Sequence, residues 1–234
     1  LDAWAKGGAL TGTMATAQAQ SERKWDFTGA ALAYLKLKPF ASQQHRASIE
    51  PWLIRLAEAS WQDLAQPGKK HNNHWYWLGL GIGAAAIADD NPKYWELARS
   101  IMRDAARDIA ADGSLPMEMA RGKRALHYHA FAVMPLVTLA RLGAAKGEDF
   151  YALENGALDR LAALTARGLA DPGVFDALAR EPQERPVKPG AGWTMLYAQA
   201  RGPRLAEVAG VAPGHRWLGG NVETLDIALR KAQR

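Results

Sequence analysis

An all-α fold is predicted by three observations. Nearly every segment of the 234-residue chain repeats its apolar residues at helical spacing, and none alternates convincingly like a strand. Helix, turn, helix recurs about seven times, which describes an array of antiparallel helical hairpins. With 48% hydrophobic and 23% charged residues, the chain reads as one domain, 1–234, with a sizeable core.

Residues 1–20 carry Trp4, Leu10 and Met14 in an Ala-rich context and are read as the first helix. A second, at 22–38, turns Phe27, Tyr34 and Leu35 inward and stops at Pro39. The third, at 45–65, aligns Ile49, Leu53, Leu56 and Leu64, with Pro51 near its start. After a loop at 66–70, the stretch to Ala88 is dominated by Gly79, Gly81, Gly83 and neighbouring alanines. A helix built so thinly packs close against others as an inner element. Asn91 caps the next helix and Pro92 takes its first position. That helix runs to Ala110 and buries Leu97, Ile101 and Ile109. Its stripe of Arg99, Arg103 and Arg107 reads as a solvated face paired with Asp104 and Asp108. An apolar helix, 125–142, is expected to bend or break near Pro135. Helices at 151–168, 173–180, 192–200 and 221–231 complete the set, with 181–190 the clearest loop and 215–220 irregular.

The net charge of +5 favours an anionic partner, yet the basic residues are scattered and carry no nucleic-acid motif. Nine Trp suit carbohydrate, whose rings lie on flat aromatic faces, and an acidic polysaccharide would use both features. Absence of cysteine removes disulfides and thiol chemistry. No apolar run is long and uninterrupted enough to span a membrane, so insertion is not expected. The chain opens in an amphipathic helix and not on a signal peptide, which suits a cytosolic protein or a mature chain.

Two stretches could carry chemistry. His71-Asn72-Asn73-His74-Trp75-Tyr76-Trp77 follows Lys69 and Lys70 and sets neutral hydrogen-bonding groups before aromatics. It reads either as a helix start, with Asn72 or Asn73 as cap and the aromatics as core, or as a sugar-binding strip. His71 and His74 could share a metal, but no carboxylate or thiolate lies nearby in sequence, so neither metal nor cofactor is expected. In the second stretch, Arg121, Arg124 and Tyr128 share a helical face. His127 and His129 point about 200° apart, and one should face the core with a backbone partner. Cations at a helix start are mildly unfavourable, so Arg121, Lys123 and Arg124 suggest an anion to bind.

These residues carry a resemblance. Asn72 to Trp77, Leu115 to His129, Arg23-Lys24-Trp25 and Trp217 to Asn221 together resemble the alginate lyases of polysaccharide lyase family five. The resemblance implies an incomplete (α/α) toroid that cleaves an acidic polyuronate by metal-independent β-elimination. It implies Asn73, His74, Arg121 and Tyr128 as catalytic residues. Asn73, Arg121 and His74 would neutralise the uronate carboxylate and so stabilise the enolate-like transition state. A tyrosine hydroxyl, ordinarily with a pKa near 10, needs cationic neighbours to act as a base at neutral pH. Tyr128 would take the C5 proton and protonate O4 when both lie on one sugar face, and histidine would serve when they do not. Asn72, Trp75, Trp77, Lys70, Lys123 and Arg124 are the expected substrate-binding set. Position 75 is Trp where the family usually has Ser, so the accepted sugar would differ. The family's chains are longer at the N-terminus, and this one would lack those helices and their lid. A periplasmic or secreted monomer follows by the same resemblance. The alternatives are a toroid that binds acidic exopolysaccharide without cleaving it, a lyase for another polyuronate such as polyglucuronate, or a glycoside hydrolase using Glu118 or Asp112.

Overall fold

The computed structural model describes residues 1–65, 68, 71–184, 192–202 and 214–232. Among these, eleven α-helices and one two-residue antiparallel strand pair, Gly214–His215 with Gly220–Asn221, make an all-α architecture. Its centre is α4 (Asn73–Ala88), in which nearly every residue is buried. α4 packs against α2 (Ala17–Leu37), α3 (Gln43–Leu64), α5 (Pro92–Asp108) and α7 (Ala125–Ala145). The glycines explain how one helix meets four. A Cβ at Gly79 would stand 2.6 Å from Ile101 of α5, and at Gly83 2.9 Å from Leu139 of α7. At Gly81 it would stand 2.6 Å from Thr28 of α2. Small residues let the helices close in, as expected for an inner element.

Local chemistry sets the boundaries. Thr16, Ser42, Asn72 and Asn91 each cap the following helix by accepting a backbone N–H. Phe27, Tyr34 and Leu35 are buried, as are Ile49, Leu53 and Leu56. The solvated stripe on α5 is present with altered partners. Glu96 binds both Arg99 and Arg103, and Asp104 binds Arg107. Asp108 accepts instead from the Tyr76 hydroxyl.

Several expectations are corrected. The first helix is only α1 (Asp2–Lys6), because Gly7 and Gly8 end it and Leu10 adopts φ +63°. Trp4 is 53% exposed. Pro51 lies inside α3, more than two turns from its start, and α7 is not broken at Pro135. By length and apolarity, 122–145 could cross a membrane, but most of it is buried here, so it is a core helix. α8 (Ala157–Ala170), α9 (Gly173–Ala179), α10 (Trp193–Arg201) and α11 (Val222–Ala232) follow the expected order. Asp226 on α11 binds Arg141 of α7 and Arg230 of its own helix. Most of the 66–70 and 181–190 loops, with Lys70, lies outside the described residues.

One contact places an aromatic wall. α2 lies so close to the 3-10 turn Arg216–Leu218 that a Cβ on Gly29 would sit 2.7 Å from the Arg216 carbonyl oxygen. Backbone cannot yield as a side chain does. Gly29→Ala should therefore lower stability by about 1–3 kcal/mol, more than the ~1 kcal/mol that alanine gains in helix propensity. Urea unfolding checks this, and an unchanged or raised midpoint would contradict it.

Candidate active site

The start of α4 and the segment 115–128 meet through one carboxylate. Glu118 sits on the short helix α6 (Pro116–Met119) and is fully buried. Its Oε1 accepts the backbone N–H of Asn73 at 2.7 Å and the Asn73 side-chain N–H at 3.0 Å. Arg121 Nε lies 3.8 Å from Glu118 Oε2. Burial raises the Glu118 pKa, while the bonds from Asn73 and the charge of Arg121 oppose the rise. Arg121 then reaches over the Tyr128 ring, its guanidinium 4.7 Å from the centroid, and Arg124 lies 5.1 Å from the same ring. Arg121, Arg124 and Tyr128 do come together, but not as one helical stripe, since Arg121 and the 3-10 turn Gly122–Arg124 precede α7.

His74, next on α4, points toward α2. Its Nδ1 lies 2.7 Å from Lys24 Nζ and 3.4 Å from Ser21 Oγ, and its ring stacks on Trp25 with centroids 5.6 Å apart. Burial foremost, then the charges of Lys24 and Arg121, lower its pKa to about 4. It is neutral at pH 7. Trp25 also stacks on Trp217 at 4.6 Å, and Phe131 meets both rings edge-on. Glu118 thus links Asn73 to Arg121, Arg121 contacts Tyr128 and its charge acts on His74, with an aromatic wall behind His74.

The proposed binding residues divide. Asn72 is the cap of α4, its Oδ1 accepting the His74 N–H at 3.0 Å. Trp77 is fully buried, donates Nε1–H to the Phe131 carbonyl, and cannot stack on a sugar. Trp75 is corrected too. It is 7% exposed, one face lying on His71 at 4.4 Å with the planes 2° apart, and Trp61 stands 5.4 Å away. Both residues belong to the core because they fall on the inward faces of α4. Lys123 binds Glu184 at 2.7 Å, and Arg124 lies 3.9 Å from it. The anion suggested by this cluster is therefore supplied by the chain itself. Gln183 beside it accepts the Leu126 N–H at 3.0 Å, satisfying a donor at the start of α7. His129 is the core histidine, bonded through Nδ1 to the Ala125 carbonyl and accepting the Leu115 N–H at Nε2.

A buried carboxylate holding an amide, a neutral histidine, and a tyrosine under guanidinium groups place proton-transfer groups beside a cation. Comparison with known proteins makes the class specific. The family model described as alginate lyase matches residues 1–175, and the chain belongs to the alginate lyase family. A polysaccharide lyase of Stenotrophomonas maltophilia (strain K279a) is 40% identical over 218 residues, covering 87% of this chain and 65% of that protein. An alginate lyase of Pseudomonas putida (strain F1) is 37% identical over 193 residues, 79% of this chain and 52% of the relative. Among solved structures, alginate lyase A1-III from Sphingomonas species A1 superposes with a TM-score of 0.82 at 27% identity, over 96% of this chain and 66% of that one. A Tyr-to-Phe variant of that enzyme, complexed with a tetrasaccharide, matches with the same TM-score at 26% identity. The fold is accordingly an (α/α) toroid. The chain spans less than two thirds of the length of these two sequence relatives.

Sequence reasoning assigned no site role to Lys24, Trp25, Phe131, Gln183 or Glu184. Lys24 and Trp25 did leave a signal, since both lie in a stretch that carries the family resemblance and Lys24 shares the spacing of the buried Phe27, Thr28, Ala31 and Leu35.

The two buried histidines give a pH dependence. His74 and His129 are both lowered to about 4 from an ordinary 6.5. The unfolded chain then takes up protons first, so their contribution is complete above about 6.5 and is lost as pH falls toward about 4. His129→Phe should flatten that part of the stability profile. It should also cost about 1–3 kcal/mol at neutral pH by stranding the Leu115 N–H. Melting temperatures across the range decide it, and an unchanged slope in the variant would refute the assignment.

Proposed function

We propose that this chain is a polysaccharide lyase that cleaves an acidic polyuronate, alginate rich in mannuronate, by β-elimination at the 4-O-glycosidic bond. The observation that carries the proposal is the connected set Asn73, Glu118, Arg121 and Tyr128 beside a neutral His74. The C5 proton of a uronate is weakly acidic while the adjacent carboxylate is charged. Arg121 and the donor of His74 bind that carboxylate and stabilise the enolate-like state as C5 loses its proton. Asn73 is itself fully buried and donates to Glu118, so its part is to hold the carboxylate that stands behind Arg121.

Tyr128 is the acid/base. Its hydroxylate takes the C5 proton, the C4–O4 bond breaks as the C4–C5 double bond forms, and the same hydroxyl returns a proton to O4. Arg121 and Arg124 lie over its ring, at 4.7 and 5.1 Å from the centroid. Trp25, buried and stacked on both His74 and Trp217, holds the imidazole in place from behind.

Elimination leaves an unsaturated, conjugated uronate, so ultraviolet absorbance during incubation with polymannuronate, polyguluronate and polyglucuronate tests the proposal directly. Absorbance should rise on polymannuronate. A protein that binds the polymers and releases no absorbing product would be a binding toroid instead. Tyr128→Phe should abolish turnover with polymer affinity nearly unchanged, and full activity in this variant would remove tyrosine from the chemistry. Arg121→Ala should lower kcat by about one to three orders of magnitude and also weaken binding of the polyanion. If it does neither while folding normally, the carboxylate is held elsewhere.

A further inference from the structure

Lys24 is a fully buried lysine in the middle of α2. Among the described residues it has no carboxylate within ion-pair distance. Its Nζ lies 2.7 Å from His74 Nδ1 and 4.6 Å from the centroid of the Trp25 ring. A buried ammonium with only an imidazole and an indole face for company is costly, and it is not explained by packing, which an aliphatic side chain would do better.

The cost is informative because of what an ammonium can do. It has three donors and no lone pair, so the ring nitrogen it touches must accept. An imidazole that accepts at Nδ1 and is neutral carries its proton on Nε2. Ser21 Oγ, 3.4 Å from the same Nδ1, does not compete, because its hydroxyl donates to the Ala17 carbonyl at 3.0 Å. With Nδ1 turned onto Lys24, Nε2 is the nitrogen left for a ligand.

We propose that Lys24 is a positioning residue that fixes His74 in its Nε2–H form, so that His74 presents a hydrogen-bond donor, and not a base, to the substrate carboxylate. The charged groups that act on the pair are Glu22 on α2, which favours the charged lysine, and Arg121 on the segment opposite, which keeps the imidazole neutral. Burial lowers the Lys24 pKa to about 7, while that of His74 is about 4. Between these two values the lysine is charged and the imidazole neutral, the state in which the assignment of the ring proton is forced. Once Lys24 loses its proton, its lone pair and Ser21 Oγ can both accept from Nδ1–H, and Nε2 is freed to accept.

The identity of the donor's target rests on the proposed lyase reaction, whereas the position of the proton does not. The test therefore has two arms. Long-range proton–nitrogen NMR of the histidine-labelled full chain at about pH 6, inside that window, reads both ring nitrogens of His74. The wild type should show Nε2 protonated and Nδ1 not. Lys24→Met, which keeps the bulk and removes the donor, should move both nitrogen shifts toward a mixture of tautomers. Lys24→Gln, which returns a neutral N–H, should restore the wild-type pattern. In the second arm, kcat on polymannuronate should fall about 10–100-fold in Lys24→Met, with a smaller change in KM, and recover in part in Lys24→Gln.

A wild-type spectrum with Nδ1–H, or with a doubly protonated ring, overturns the proposal even if no variant folds. So does a folded Lys24→Met with unchanged nitrogen shifts and unchanged kcat. A wild type inactive on every polyuronate but with the expected tautomer sinks the lyase proposal and leaves the role of Lys24 toward His74 standing.

Discussion

The carboxylate of Glu118 at the head of α4 is the interaction on which the site depends. A helix start carries unpaired N–H groups and a partial positive charge, and both favour an anion. Here the anion comes from a residue 45 positions away, bonded at 2.7 Å to the first N–H of the helix. Asn72 satisfies the next N–H at 3.0 Å. One group thus caps α4, orients the Asn73 amide and draws in Arg121, which spans the ring of Tyr128. Burying a carboxylate is unfavourable by itself, and its raised pKa records that penalty. The helix start and the two bonds from Asn73 offset it, so removing either partner would strand the other.

The rigidity of this arrangement comes from α4 itself. Its glycines admit Ile101, Thr28 and Leu139 to within contact of the backbone, so the helix is gripped on several sides. Asn73 and His74 ride on the first turn of an element that has little room to shift. His129 then ties α7 to Leu115, so the segment bearing Glu118 and Arg121 is anchored at its entry as well.

Most of the helices were legible from spacing and caps, because burial of one face leaves a period in the sequence. The first helix was not, since an Ala-rich context hid the force of Gly7 and Gly8. Within the site, the inward histidine followed from the opposed directions of His127 and His129, whereas Arg121 and Arg124 reach Tyr128 from a turn before α7 and not along one helical face. The junction of α4 with 115–128 could not follow from either. Contacts such as Asn73 with Glu118, or Lys24 with His74, join positions 45 and 50 apart, and no local pattern encodes them. Trp75 and Trp77 show the converse error. Aromatic residues beside polar ones suggest a sugar platform, yet a helix turns each successive residue by about 100°, and these two were turned inside.

The pairing of Lys123 and Arg124 with Glu184 changes what attraction to a polyanion means at this surface. Two cations beside the site already have a carboxylate neighbour, held on a segment whose own backbone N–H donates to the Lys123 carbonyl at 2.8 Å. Under the proposed lyase reaction, a uronate arriving there would exchange one carboxylate for another, with little Coulomb energy changing hands. Arg121 also stands beside a carboxylate, yet that of Glu118 is fully buried and held by Asn73, so it is a fixed part of the wall and not a surface partner to be displaced.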